Sequence, residues 1–197
     1  MSLTATQKAK VKELEAISEL ARVDFWNVEK STSTNEAKNS NLYLAKDRLV
    51  RCYVVSAYVY IDELLCELIV QNFFDPNKTS IELWKTKPFK PFNYHVIESL
   101  ALMRKLALVK EFKPIPKRIG RTVDLLNMIR NAVTHSFFPM NKRDFKNAMR
   151  VTYKGKDIYT VEGLRVLQED VNEAAACLRG LAKRNPRRRL ASRGQRS

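Results

Sequence analysis

The sequence has little glycine, only five residues in a chain of 197. The glycines lie at positions 120, 155, 163, 180 and 194, too far apart to build a phosphate-binding loop or a dinucleotide fingerprint. Nucleotide-binding α/β folds are therefore disfavoured. The 45% share of apolar residues is nevertheless large enough to bury a core, so a folded domain is expected rather than disorder.

Cysteine and histidine are also rare. Cys52, Cys66 and Cys177 form no CxxC motif or Cys/His cluster, which argues against a disulfide framework and a structural zinc site. We expect a reducing, cytoplasmic environment, and we predict no metal and no cofactor. His95 and His135 are the only histidines and hence the first candidates for a general acid or base.

The chain shows no sign of export or membrane insertion. Residues 1–16 are charged and amphipathic and contain no apolar core of a signal peptide. The longest apolar stretch, residues 51–74, is interrupted by Asp62, Glu63 and Glu67, which would be costly inside a bilayer. We interpret this stretch as a buried helix of a soluble protein.

The charge is strongly positive, with a formal net value of +15, and a polyanion, above all RNA, is the expected partner. The excess is concentrated at the C-terminus, where residues 183–197 contain seven basic and no acidic side chains. This composition predicts a flexible tail. Its predicted RNA-contacting residues are Lys183, Arg184, Arg187, Arg188 and Arg189. A solvated, dispensable extension is the alternative reading.

Hydrophobic spacing predicts an all-α fold. Helices are expected at residues 4–29, 42–74, 93–109, 117–138 and 160–182, a polar connection at 31–40, and a basic loop at 75–91 with one short turn. Residues 150–160 alternate β-forming residues around Lys154-Gly155 and predict a short hairpin. The expected architecture is a four- to five-helix bundle, residues 1–182, with a small β-hairpin insertion and the basic tail.

The residue pattern that could carry chemistry lies near the end of the fourth of these helices. At about 100° per residue, Arg130, Asn131, Thr134 and His135 fall within a sector of about 140°, whereas Ile129 and Val133 face the opposite side. An arginine offers a planar fork for phosphate oxygens without any metal. The helix dipole favours a protonated His135 at this end.

The arrangement Arg130-Asn131, three intervening residues and His135, late in a helical bundle, resembles the HEPN family of all-helical domains. The resemblance implies a homodimer with two motifs across one cleft and, in many members, metal-independent RNA endonuclease activity. It assigns phosphate binding to Arg130, general acid or base chemistry to His135 and an orienting role to Asn131. It also implies a product with a 2′,3′-cyclic phosphate and a role as a toxin or antiviral defence effector, with an antitoxin or defence protein as a further partner.

Less specific readings stay open beside the nuclease. The motif could be a solvated helix face with a capping histidine, or it could bind phosphate in a non-enzymatic RNA- or nucleotide-binding module or a structural subunit of a defence complex. Thr134, in the same sector, is predicted to contribute to RNA binding rather than to catalysis. The aromatic and basic segment 85–94 could stack bases, although aromatic residues beside prolines more often fix a loop to the core. Asp62 or Glu63 could supply an acidic partner for Arg130 or His135.

Overall fold

A computed structural model describes the backbone of residues 35–75, 78, 80–134 and 151–183, and the side chains of 46–75, 78, 82–134 and 151–182. Contacts divide the chain into two compact units, residues 1–50 and 51–197. In the first unit the description covers only the helical stretch 35–50. The predicted helix 4–29 and the tail from Arg184 onward lie outside the described residues.

The described chain consists of helices and one small hairpin. The helices are α1 (Asn35–Phe73), α2 (Ser80–Trp84), α3 (Phe89–Phe92), a π-helical turn (Asn93–Ile97), α4 (Leu102–Phe112), α5 (Lys117–Thr134) and α6 (Val161–Lys183), and the strands are β1 (Thr152–Tyr153) and β2 (Lys156–Asp157). Helices account for 78% of this region, which confirms the all-α class. None of the helices described is long and apolar enough to span a bilayer.

Buried side chains recur at helical spacing on each long helix. On α1 the row at Val54, Ile61, Leu65 and Leu68 is almost completely buried. The matching rows are Leu102, Leu106 and Val109 on α4, Val123, Leu126 and Val133 on α5, and Leu167, Val171 and Leu178 on α6. Removal of this apolar surface from water is the main force that holds such helices together.

Several predicted boundaries differ from those in the structure. The connection expected at 31–40 is helical from Asn35 onward, because Glu36, Ala37 and Lys38 are good helix formers that outweigh the turn-forming residues around them.

The single helix expected over 93–109 is interrupted. The amide of Glu98 donates to the carbonyl of Asn93 in a π turn, and the extended Ala101 begins α4 anew.

A serine lies at the interruption at residues 98–101. The Ser99 hydroxyl bonds to the carbonyl oxygens of His95 and Val96, at 2.8 and 3.1 Å, and so satisfies groups that a continuing helix would use.

The basic loop predicted at residues 75–91 is also shorter than expected. Pro91 lies inside α3 rather than in a loop, near its start, where a proline is tolerated.

The predicted hairpin and the cap of the last helix are confirmed. Lys154 and Gly155 have φ of 49° and 79°, the left-handed pair that a two-residue hairpin turn requires. Thr160 then caps α6, because its hydroxyl oxygen accepts a 3.0 Å bond from the amide of Gly163. The predicted helix end at residue 182 is short by one residue, since Lys183 still belongs to α6.

A buried hydrogen bond fixes the hairpin to α6. The Tyr153 hydroxyl, on a nearly fully buried side chain, donates a 2.6 Å bond to Asp170, which also pairs with Lys154 at 2.5 Å. Burial, reinforced by Asp170, raises the pKa of Tyr153 well above its usual value. Burial alone would raise the pKa of Asp170 as well, but its bonds from Lys154 and Tyr153 outweigh that effect and lower it.

Candidate functional site

The last two turns of α5 separate polar from apolar side chains as the sequence predicts. Ile129 and Val133 are buried, Arg130 is half-buried, and Asn131 and Thr134 are exposed. The buried pair anchors this end of α5 in the core, so the position of the Arg130 backbone is set by packing. Three of the four residues in the polar sector are therefore brought together at an accessible helix end.

Two contacts hold the Arg130 guanidinium. Its Nη1 donates a 3.0 Å hydrogen bond to the side-chain oxygen of Asn131. The guanidinium carbon also lies 5.0 Å from the centre of the Tyr58 ring, within the range of a cation–π interaction. An arginine held on an aromatic face loses less side-chain entropy when it binds an anion, and among the described residues only Asn131 is shown to accept a hydrogen bond from the guanidinium.

Thr134, predicted to contact RNA, is exposed at the end of α5. Its hydroxyl donates a 2.7 Å hydrogen bond to the carbonyl oxygen of Arg130, one turn earlier. In this conformation the hydroxyl proton is used within α5, and the hydroxyl oxygen can still accept a hydrogen bond.

A second guanidinium reaches the same end of α5 and was missed by sequence reasoning. Arg51 of α1 donates a 2.7 Å hydrogen bond from Nη1 to the carbonyl oxygen of Val133. A cation at a helix C-terminus is favoured by the carbonyl groups that lack helical partners. The available signal was spacing: Arg51 and Tyr58 are seven residues apart and therefore share one face of α1.

The remaining predicted site residues are not placed. His135 follows Thr134 directly but belongs to residues 135–150, outside the described part of the chain. The side chain of Lys183 is also outside it, and so are Arg184, Arg187, Arg188 and Arg189. His95, in contrast, is described and exposed in the π-helical turn.

The carboxylate that could have served Arg130 is engaged elsewhere. Asp62 lies one turn beyond Tyr58 on α1, and its Oδ2 is 2.6 Å from the nearly buried ammonium group of Lys105. The Cys66 thiol approaches the same oxygen at 3.8 Å. Burial, together with the negative charge of Asp62, raises the pKa of Cys66, so this thiol is a poor nucleophile. Glu63 is exposed.

The site thus offers one oriented guanidinium, a second arginine at the same helix end and an amide, beside an aromatic ring. These groups suit the binding of a phosphate. Within the described residues, no three His, Cys, Asp or Glu side chains cluster in a way that could hold a metal ion. In comparisons with known proteins, no family model, no curated protein and no solved structure gives a significant match to the chain.

Proposed function

We propose that the protein is a metal-independent RNA endonuclease of the HEPN type that acts as a toxin or antiviral defence effector. The observation that carries the proposal is the Arg130 guanidinium, fixed by Asn131 and Tyr58 at an accessible helix end immediately before His135. The positive charge of the chain supports RNA as the ligand, since phosphate contacts dominate the affinity of such complexes.

In the proposed reaction the ribose 2′-oxygen attacks the adjacent phosphorus, and the bond from phosphorus to the 5′-oxygen of the next nucleotide breaks. The 2′-hydroxyl gives up its proton and the leaving 5′-oxygen gains one, with His135 as the acid or the base. Arg130 binds the non-bridging oxygens, where negative charge increases in the transition state. The products are a 2′,3′-cyclic phosphate and a free 5′-hydroxyl, and DNA is excluded because it lacks the nucleophile.

The second copy expected in such an enzyme would bind to an exposed apolar row on α1. Val55 and Val59, one turn apart, are 37% and 47% exposed although they lie in the middle of the central helix. At about 100° per residue, Arg51 and Tyr58 lie between this row and the buried face. A copy bound to the row would therefore lie next to Arg130, and the two motifs would face one cleft.

Cleavage of a labelled structured RNA in EDTA tests the proposal. His135→Ala is expected to reduce cleavage at least about 100-fold while RNA binding persists, because general acid–base catalysis is worth about that much or more. His95→Ala is the matched control and should cleave normally. A single 2′-deoxynucleotide at the cleaved position should block the reaction. Equal cleavage by wild type and His135→Ala, or a requirement for a divalent cation, would contradict the proposal.

The role of Tyr58 in positioning Arg130 can be tested separately. Tyr58→Leu is expected to lower the cleavage rate about three- to tenfold, the usual worth of a cation–π contact, without unfolding the protein. Tyr53→Leu, on the same helix and also half-buried, is the control. If both variants lose the same activity, packing of α1 and not the contact with Arg130 is responsible.

Light scattering tests the dimer. Val59→Glu places a charge in the exposed row and should convert a dimer into a monomer. Val161→Glu, at a residue 77% exposed in the first turn of α6, should leave the mass unchanged. A wild-type monomer at all concentrations would remove the dimer from the proposal and leave binding of RNA by a single copy as the alternative.

A further inference from the structure

A second feature of the molecule combines exposed aromatic rings with lysines, far from Arg130. It begins at the C-terminal end of α1. Phe74 contacts Phe89 and Phe92 with ring centres 5.2 and 5.0 Å apart, and Phe73 contacts Phe92 at 5.5 Å. These rings fix α3 and the preceding turn to the end of α1, so Phe89 and Phe92 have a packing role.

Two other aromatic rings of the segment are turned outward. Trp84 is 40% exposed although its edge packs on Phe89 at 5.4 Å, and Tyr94 is 60% exposed. Single exposed aromatic residues are unremarkable, but these two lie on a backbone that the phenylalanine cluster holds in place. The Trp84 ring, held by Phe89, loses little entropy when a flat ligand stacks on it.

Three exposed lysines accompany these rings. Lys85 and Lys87 lie in the turn between α2 and α3, where the Thr86 hydroxyl closes the turn with a 2.7 Å bond to the carbonyl of Leu83. Lys90 in α3 and Tyr94 in the π-helical turn are four residues apart, and both are exposed. Residues 83–97 contain no acidic side chain, but the exposed Glu82 and Glu98 border them, so residues 82–98 carry a net charge of +1 from three lysines and two glutamates. The surface is therefore positive and aromatic.

We infer that Trp84, Lys85, Lys87, Lys90 and Tyr94, the aromatic–lysine surface, bind single-stranded RNA by stacking of bases and contacts to phosphates. Fixed rings beside cations are the combination that single-strand binding uses, and duplex bases are inaccessible to such stacking. This inference rests on the proposed function for the choice of RNA. Tyr58 and Phe73 are 15 residues apart on α1, which places the surface about 22 Å along that helix from Arg130.

The test is fluorescence anisotropy of a labelled uridine 12-mer with full-length protein carrying His135→Ala, so that binding is measured without cleavage. Tyr94→Ser is expected to weaken binding about five- to tenfold, the effect of losing one stacked base. Replacement of the three lysines by glutamine should lower the slope of log K against log salt by about 2. Removal of equal charge at the exposed Lys117, Arg121 and Arg165 is the control.

Intrinsic fluorescence gives an independent readout. Trp26→Phe leaves Trp84 as the single tryptophan, and its emission should be quenched by the uridine 12-mer but not by an RNA duplex of the same length. If the parent protein binds the 12-mer and the surface variants bind as tightly as the charge control, the inference is wrong and the proposed function survives. If the parent protein, with only His135→Ala, binds no RNA, both the inference and the proposed nuclease function are wrong. Binding of an acidic peptide with quenching, but not of RNA, would identify a protein partner instead and overturn the inference.

Discussion

Two glycines on α6 should respond in opposite directions to the same substitution. A Cβ added at Gly163 would overlap the carbonyl oxygen of Asp157 and lie 2.6 Å from its carbonyl carbon. A Cβ added at Gly180 meets nothing within 4 Å. Both residues lie inside the helix Val161–Lys183, where alanine is intrinsically better than glycine. Gly163→Ala is therefore expected to destabilise the protein and Gly180→Ala to stabilise it.

The size of the Gly163 effect follows from what holds the Asp157 carbonyl. It accepts hydrogen bonds from the amide and the hydroxyl of Thr160, at 3.0 and 2.7 Å. To make room for a methyl group the hairpin must move, and the Thr160 cap must move with it. Overpacking costs about 1–3 kcal/mol and loss of a cap about 1 kcal/mol. After the gain in helix propensity, the net loss is about 1–3 kcal/mol.

Urea unfolding followed by circular dichroism measures both variants. Gly180→Ala should gain about 0.5–1 kcal/mol, so the two variants should differ by about 2–4 kcal/mol. Thr160→Ala removes the cap without adding a methyl group at residue 163 and should lose about 1 kcal/mol of stability. The additional loss in Gly163→Ala then measures the cost of the steric overlap with Asp157. A Gly163→Ala protein as stable as wild type would show that the hairpin does not lie against the start of α6.

Three further predictions concern charges. Asp62→Ala should lower the free energy of unfolding by about 3–5 kcal/mol because it leaves the nearly buried Lys105 unpaired. Lys105→Met should lower it by less, because the Asp62 carboxylate it leaves behind is 25% exposed. Equal losses for the two variants in urea unfolding would refute this. In the folded state the pKa of Asp170 lies below the value of about 3.9 that an aspartate has in an unfolded chain. The ionised carboxylate therefore stabilises the protein fully at pH values above about 3.9, and this stabilisation is lost as the pH falls through the lowered pKa. Asp170→Asn should therefore be less stable than wild type at pH 7, and the gap should close in acid; a constant gap in thermal unfolding would contradict it. Deletion of residues 184–197 should flatten the salt dependence of RNA binding, and an unchanged slope would show that the tail makes no phosphate contacts.

Sequence reasoning succeeded where local interactions decide the structure. The long helix through residues 42–73, the Lys154-Gly155 turn and the Thr160 cap each depend on residues close together in the chain. It failed over residues 93–109, where the pattern of apolar residues continues but Ser99 and the extended Ala101 end one helical segment and begin another. Periodicity reports which side chains are buried and does not detect a break that keeps the same face inward.

The candidate site divides in the same way. The sequence alone predicted that Arg130, Asn131, Thr134 and His135 share a polar sector, because helical geometry follows from spacing, and the first three lie in the described part of α5. Only the tertiary structure decided that Tyr58 contacts Arg130, that Arg51 reaches the end of α5, and that Asp62 pairs with Lys105. Those partners lie tens of residues apart in the chain. Their meeting depends on how the helices pack, and packing is set by the shapes of all the buried side chains together.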